Sequence, residues 1–212
     1  MAENINSFFF NTTPRIIYGS NVSEDSSPFS KLIGKSVLLI TDKGITGLKL
    51  YENLIINLRK SGITINVFDD VEADPSLKTL EKAILFGKET DASGIIGFGG
   101  GSSMDVAKLT ALILGSNENL EEAWGVGNAK GPRLPLILVP TTAGTGSEVT
   151  PVSIITVDGD EKRGVSSHLI LPDFALLDPL LTVGLPASAT AATGIDAMVH
   201  AIEAYASKNA NN

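Results

Sequence analysis

The sequence predicts an α/β fold in which a parallel sheet carries helices on both faces, followed by the start of a helical region. Short apolar runs rich in β-branched residues alternate with longer stretches that place apolar residues at helical spacing. The connections between them are short, which favours parallel strands joined by right-handed crossovers. Two polar, glycine-containing loops directly follow apolar runs, and ligands of such sheets bind past the carboxyl ends of the strands.

Strand–helix alternation occupies residues 36–139. Four apolar runs predict buried strands, at residues 36–41, 63–68, 94–98 and 135–139. Three segments between them predict helices, at residues 44–61, about 76–89 and 102–114. Gly62 ends the first helix, and Asp74-Pro75-Ser76 starts the second because proline suits the first turn of a helix.

The pattern changes after about Pro151. Residues 152–157 and 174–177 predict two further strands, with a polar turn over residues 158–162. An alanine-rich helical stretch then runs from Pro186 to about Ala206. We therefore place a domain boundary near Leu185, with one domain at residues 1–185 and the truncated beginning of a second at residues 186–212.

The composition is that of an ordinary globular protein, with 212 residues of which 43% are hydrophobic and 19% charged. The formal net charge is -8 and no basic stripe is present, which argues against nucleic acid as a partner. Because the chain has no cysteine, disulfides and thiolate metal sites are excluded. The N-terminus lacks a signal-peptide pattern and no apolar run approaches the ~18 residues of a membrane span, so we expect a cytoplasmic protein without membrane contact.

Three consecutive glycines, at residues 99–101, separate the third strand from the third helix in the stretch FGGGSSMDVAK. Glycine lets an anion approach the backbone, and the free N–H groups of the following helix point at it. A tight turn would need only one glycine, so three favour a phosphate site, although the stretch is neither a Walker A loop nor a clean GxGxxG. Asp105, one turn into the helix, could brace this loop or bond a substrate or cofactor group, and spacing leaves both open.

Asp42 ends the first strand, in the sequence TDKG. An acid at this place in a parallel sheet can accept hydrogen bonds from a ribose hydroxyl and repel a 2′-phosphate. It can equally serve as the N-cap of the helix that follows. The sequence alone favours neither role over the other.

A second loop, VPTTAGTGSEVT at residues 139–150, follows the fourth strand. It offers hydroxyl donors beside small residues that permit close approach, and it holds no Lys or Arg. These features favour contact with a polar, uncharged ligand group such as a ribose or a carboxamide over a solvent-exposed turn. The hydroxyl-bearing residues in question are Thr141, Thr142, Thr145 and Ser147.

Asp196 and His200 lie four residues apart in the last predicted helix, so both point from one face. A carboxylate and an imidazole at this spacing can offer two ligands to a metal ion. A metal held by protein groups usually takes three or four ligands, so this pair is incomplete by itself.

Taken together, GGGSSMD, PTTAGTGSE and GIDAMVHAIEAY, with TDKG and LLDP, resemble the iron-containing alcohol dehydrogenase family from about Pro14 to the last residues. The resemblance implies a Rossmann-like domain for a nicotinamide dinucleotide, followed by an all-helical domain that carries a divalent metal. It implies a metal-dependent alcohol dehydrogenase or aldehyde reductase that moves a hydride between a small alcohol and NAD(P). Relatives often form dimers through an N-terminal strand, so a homodimer is possible through Phe8–Phe10 or Ile16–Tyr18, although core packing would explain these residues equally well.

The resemblance also assigns residues to the cofactor. Asp42 matches the residue that faces the adenosine ribose, where an acid favours NAD over NADP. Asp74 falls near the cofactor, where many relatives have Asn, and Lys162 matches a lysine that reaches toward the ribose on the nicotinamide side. The remaining matched positions are Gly99, Gly100, Gly101 and Ser102 in the diphosphate loop, Thr141, Thr142, Thr145 and Ser147 in the second loop, and Leu181 and Thr182 in a further lining segment.

Asp196 and His200 match the first two metal ligands of the family and are therefore the expected catalytic pair. The family supplies two further histidines, whereas this sequence has only His168 and His200, and His168 is best read as a surface residue. The missing ligands are expected beyond Asn212, so the chain should bind metal weakly and turn over little by itself. Fe(II) is implied by the family, and carboxylate plus imidazole would also accept zinc or manganese.

Two other interpretations stay open. A glycerol dehydrogenase-like enzyme would share the GGGS loop, although TTAGTGSE and the DAxxH spacing argue against it. A catalytically inactive, truncated nucleotide-binding module would bind NAD without metal. Because the helical segment is expected to be truncated, it should expose an apolar face formed by Ile195, Met198, Val199 and Ile202, which invites association.

Overall fold

The computed structural model describes residues 10–208 and residue 210. Its nine strands are β1 (Ile16–Tyr18), β2 (Ser36–Ile40), β3 (Thr64–Phe68), β4 (Gly94–Gly99), β5 (Gly125–Val126), β6 (Leu136–Pro140), β7 (Val152–Thr156), β8 (Lys162–Ser166) and β9 (Phe174–Leu177). Its α-helices are α1 (Lys43–Leu48), α2 (Glu52–Lys60), α3 (Leu77–Glu89), α4 (Gly101–Ser116), α5 (Leu120–Ala123) and α6 (Ala187–Ala206).

A six-stranded sheet in the order β1-β9-β6-β4-β2-β3 forms the centre of the fold. Every pairing in it is parallel, which confirms the predicted α/β class with a Rossmann-like parallel sheet. Alternate residues of β2 enter different core clusters: Leu38 packs with residues of α3 and α4, and Leu39 packs with residues of α2. The sheet therefore has helices on both faces, as its near-continuous apolar strands require.

The predicted helix over residues 44–61 is two helices. Lys49 adopts a left-handed backbone conformation with φ 59°, and its N–H bonds to the carbonyl of Thr46, which ends α1. The apolar spacing persists across this break because Tyr51 and Leu54 pack into the same core cluster. Hydrophobic periodicity could therefore not reveal the interruption.

A smaller sheet has the order β5-β8-β7, and its strands are interspersed along the chain with those of the main sheet. β7 and β8 are antiparallel, with Thr156 opposite Lys162. The prediction of a polar turn over residues 158–162 was right for the short 3-10 helix Asp158–Asp160, but it missed β8, whose sequence KRGVS has little apolar patterning. Strands β1 and β5 and helix α5 are likewise too short to show a period.

The two ends of the described chain are exposed. β1 is an edge strand, and its residues Ile16 and Tyr18 are largely exposed, while Phe8 and Phe9 of the suggested dimer segment lie outside the described residues. No residue of α6 is buried, and the four residues of the predicted apolar face, Ile195, Met198, Val199 and Ile202, are 43–63% exposed, which confirms that face. Within the described residues, no helix combines the length and hydrophobicity needed to cross a membrane.

Candidate cofactor and metal site

A cleft of about 780 Å³ brings together most of the segments that the sequence singled out. It is lined by the start of α4, by residues 144–150 of the loop after β6, by β7 and by α6. The predicted site residues in its lining are Asp74, Gly101, Ser102, Asp105, Thr145, Ser147, Lys162, Asp196 and His200. The cleft therefore lies past the carboxyl ends of β4 and β6, where a parallel sheet binds its ligands.

The glycine turn (residues 99–101) and the polar loop (residues 141–150) pack closely against each other. A β-carbon on Gly101 would lie 2.9 Å from Cγ2 of Thr145, so a side chain there would push the loop away. Gly100 precedes α4 without any side-chain cap, and α4 is 16 residues long. The N-terminus of α4 therefore presents its backbone N–H groups to the turn as an anion site would require.

Asp105 joins α4 to both the polar loop and β7. Its Oδ1 atom accepts a hydrogen bond from Oγ of Ser147 at 2.7 Å, and its Oδ2 atom accepts one from the backbone N–H of Ile154 at 2.9 Å. Burial raises the pKa of this carboxyl group, while these two hydrogen bonds and nearby Lys108 oppose the shift. The structure thus gives Asp105 the bracing role, and direct ligand contact stays a prediction.

Lys108 bonds the polar loop from α4, and the sequence interpretation did not single it out. Its side chain is fully buried, and its Nζ atom donates to Oγ of Ser147 at 2.8 Å and to the carbonyls of Thr150 and Val152 at 3.1 and 2.7 Å. Burial lowers the pKa of this ammonium to about 8, although Asp105 and Glu148 act in the opposite direction. A lysine in the middle of the predicted apolar helix was the signal that could have revealed it.

The polar loop also contacts α6. A β-carbon on Gly144 would lie 2.4 Å from the carbonyl oxygen of Thr193, and the hydroxyl of Thr193 is bonded back to Ala189. The nearest obstacle is therefore helix backbone that cannot rotate away. This close approach places α6, with Asp196 and His200 one and two turns further on, beside the loop.

The remaining predicted cofactor residues lie outside the lining of the cleft. Asp42 caps α1, because its Oδ1 atom accepts from the N–H of Ile45 at 3.0 Å, and contact with a ribose stays a prediction. Thr141 directly follows β6, at the start of the polar loop, and is buried. Leu181 packs against the core and Thr182 bonds to the carbonyl of Pro179, both in the short 3-10 helix Pro179–Thr182.

A model of the iron-containing alcohol dehydrogenase family matches residues 13–179. The chain belongs to this family. It is 41% identical over 184 residues to long-chain-alcohol dehydrogenase 1 of Geobacillus thermodenitrificans, with 85% of this chain and 46% of the relative covered. It is 34% identical over 201 residues to sulfoacetaldehyde reductase of Bilophila wadsworthia, with 93% and 52% covered.

Solved structures of the family agree in fold. The chain superposes on a 1,3-propanediol oxidoreductase with a TM-score of 0.91 at 34% identity, covering 97% of this chain and 55% of that one. It superposes on the NAD+ complex of sulfoacetaldehyde reductase from Bifidobacterium kashiwanohense with a TM-score of 0.85 at 29% identity, covering 96% and 54%. The chain spans about half the length of the relatives it matches.

The residues present fit a dinucleotide of the kind that this family uses. The hydroxyl of Thr142 is buried without a hydrogen-bond partner among the described residues, and it lies next to the glycine turn. A buried hydroxyl without a partner is costly, and a phosphate or ribose oxygen at this place would satisfy it. The uncapped start of α4 supplies the complementary N–H donors.

The iron-containing dehydrogenases carry a metal, and Asp196 and His200 fit two of its ligands. Oδ1 of Asp196 and Nε2 of His200 are 3.6 Å apart, close to the roughly 3.4 Å that separates two tetrahedral ligands at ~2.1 Å from one ion. Both side chains are about half exposed. Within residues 10–208, no group of three or more His, Asp or Glu side chains could hold a metal, and the exposed His168 stands elsewhere on the surface.

Proposed function

We propose that this chain is the cofactor-binding half of an NAD-dependent alcohol dehydrogenase or aldehyde reductase. The observation that carries the proposal is the shared cleft, in which the glycine turn, the polar loop and the Asp196–His200 pair face one volume of about 780 Å³. That volume is within the range of cofactor sites in proteins, about 300–1,000 Å³. Family membership and the NAD+ complex of a relative support the same cofactor class.

Each group of this chain has a distinct task in the proposal. The glycine turn and the start of α4 hold the diphosphate, while the polar loop offers hydroxyls to the ribose or carboxamide. Asp196 and His200 hold two coordination positions of a divalent metal, Fe(II) by family and zinc as an alternative. When bound, the dinucleotide supplies the hydride acceptor and the metal supplies Lewis acidity toward the alcohol oxygen.

NAD is proposed in preference to NADP because Asp42 stands at the end of β2, beside the glycine turn. One carboxylate oxygen caps α1, and the other is 3.4 Å from the position of a β-carbon on Gly99. An acid there would repel a 2′-phosphate and accept from a 2′-hydroxyl. Titration of the chain with NADH and with NADPH tests this preference, and tighter binding of NADPH would contradict it.

Binding of NADH, followed by nicotinamide fluorescence, tests the cofactor site itself. A Gly101→Ala variant should weaken NADH binding by about tenfold or more, about 1.4 kcal/mol, because its methyl group enters the contact with Thr145. Gly47→Ala is the matched control, since a β-carbon on Gly47 meets nothing within 4 Å. Absence of saturable NADH binding by the unmodified chain would contradict the proposed function.

Equilibrium dialysis against zinc tests the metal pair. Two ligands predict weak binding, which His200→Ala should abolish while His168→Ala leaves it intact. The two variants are a matched pair because they remove the only two histidines of the chain one at a time. Tight binding near one zinc per chain would contradict a site with only two protein ligands, and equal loss in both variants would contradict its location.

A further inference from the structure

The basic side chain that lines the cleft is already paired with an acid. Lys162 is the one Lys or Arg in the described lining, and its Nζ atom forms an ion pair with Oδ1 of Asp74, which lines the cleft as well. Both side chains are more than half exposed, so the pair stands at the mouth of the cleft and is open to exchange.

Thr156 fixes the positions of both partners. Its N–H donates to the carbonyl of Pro75 at 2.9 Å, and its hydroxyl donates to the carbonyl of Asp74 at 3.3 Å. On the other side, Thr156 stands directly opposite Lys162 in the β7–β8 ladder. Thr156 therefore holds the segment before α3 close to the start of β8. This backbone arrangement brings the side chains of Asp74 and Lys162 together.

The charges of the cleft make this pair consequential. Three carboxylates line it, from Asp74, Asp105 and Asp196, and only one ammonium does. Asp105 is engaged by Ser147 and Ile154, whereas Asp74 is directed at Lys162. A dinucleotide that enters the cleft therefore meets a lysine whose charge is already neutralised by Asp74.

We propose that Asp74 is a positioning residue that lowers the affinity for the dinucleotide by holding Lys162 in an ion pair, which the cofactor must break. This inference rests on the proposed function, because it assumes that a nicotinamide dinucleotide occupies the cleft. A dehydrogenase releases its cofactor in every turnover, and release is often the slow step. An ion pair that re-forms as the cofactor leaves favours that release.

The test is the affinity of the 212-residue chain for NADH in an Asp74→Asn variant. Asn tolerates the positive backbone angle of Asp74, φ 52°, so the substitution removes charge without backbone strain. We expect binding about two- to fivefold tighter at low ionic strength, the range that an exposed ion pair supports, and a smaller gain at high salt. Glu122→Gln is the matched control, since it removes one acid from the exposed Lys130–Glu122 pair outside the lining of the cleft, and it should leave affinity unchanged.

A double-mutant cycle separates action through Lys162 from a general effect of charge or structure. In a Lys162→Gln background, Asp74→Asn should leave NADH affinity unchanged. Unchanged or weaker binding in Asp74→Asn alone would overturn the inference while leaving the proposed function intact, as would a full gain in the Lys162→Gln background. Failure of the unmodified chain to bind NADH would instead overturn the proposed function, and this inference with it.

Discussion

The ammonium of Lys108 and the hydroxyl of Ser147 are 2.8 Å apart in the interior between α4 and the polar loop. Ser147 in turn donates to Asp105, so one hydroxyl joins a buried cation to a partly buried carboxylate. Lys108 also bonds the carbonyls of Thr150 and Val152, which are the last residue of the polar loop and the first of β7. One buried side chain of α4, that of Lys108, therefore holds in place the polar loop that is proposed to contact the cofactor.

Replacement of Lys108 by Met should destabilise the fold strongly. The change removes three hydrogen bonds and leaves Asp105 without its nearest cation, and loss of one partner of a buried pair costs about 3–5 kcal/mol. Urea unfolding of both proteins measures the difference. Lys130→Met, at an exposed lysine, is the control and should leave the free energy of unfolding nearly unchanged. Equal stability of Lys108→Met and the unmodified chain would show that the buried hydrogen bonds of Lys108 contribute nothing to the free energy of unfolding.

The same lysine should make stability depend on pH in the alkaline range. Burial lowers the folded-state pKa of Lys108 to about 8, below the ordinary 10.5, so between these values the unfolded chain binds more protons than the folded one. The free energy of unfolding therefore gains a favourable contribution from Lys108 as pH rises from about 8 to about 10.5. Asp105 and Glu148, the carboxylates that act on Lys108, limit the gain by stabilising the charged form.

Urea unfolding at a series of pH values checks this sign. The stability difference between the unmodified chain and Lys108→Met should widen from pH 8 to pH 10, because only the former carries the titrating group. Groups that the two proteins share affect both alike and cancel in the difference. A constant or shrinking difference would mean that the pKa of Lys108 is not lowered in the folded state.

Much of the fold follows from local patterns in the sequence. β2, β4 and β6 are buried apolar runs flanked by polar residues, so their identity and approximate bounds could be predicted. β8 could not, because KRGVS has little apolar patterning and becomes a strand through its pairing with β7 and β5. The break at Lys49 was hidden for a different reason: a single left-handed residue leaves the apolar period intact.

The site likewise combines residues that the sequence could predict with residues that it could not. Motifs and the family resemblance singled out Gly101, Ser147 and His200, and all three line one cleft in the structure. The position of Lys108 in an apolar helix signals that it is buried, but its three acceptors could not be predicted, since they lie 39 to 44 positions away and converge only in the folded chain. The two predicted roles of Asp42 do not exclude each other. One carboxylate oxygen caps α1, which leaves the other oxygen for a different partner such as a ribose hydroxyl.

Gly144 and Gly194 should respond to alanine in opposite directions. A methyl group on Gly144 would collide with the backbone of Thr193 at 2.4 Å, which we expect to cost about 1–3 kcal/mol or to displace α6. Gly194 directly follows Thr193 in α6, and a β-carbon on it would meet nothing within 4 Å. Alanine in a helix interior is better than glycine by roughly 0.5–1 kcal/mol, so Gly194→Ala should stabilise α6.

Thermal unfolding and far-UV circular dichroism measure both effects. Gly144→Ala should lower the midpoint of unfolding or the helical signal, and Gly194→Ala should raise the helical signal. The pair is informative because both changes add the same methyl group within one loop–helix junction. Shifts in the same direction would show that the close approach of the polar loop to Thr193 does not hold α6 in place.

The apolar face of α6 should make the 212-residue chain associate as its concentration rises. Ile195, Met198, Val199 and Ile202 recur at helical spacing and form one exposed stripe, and burying such side chains is favourable by roughly 1.5–3 kcal/mol each. A Met198→Glu/Ile202→Glu double variant should therefore weaken association by about tenfold or more. Sedimentation velocity over a concentration series measures the change, and Ala204→Glu, an exposed position off the stripe, controls for added charge. Association that persists unchanged in the double variant would assign it to another surface, such as the exposed edge strand β1.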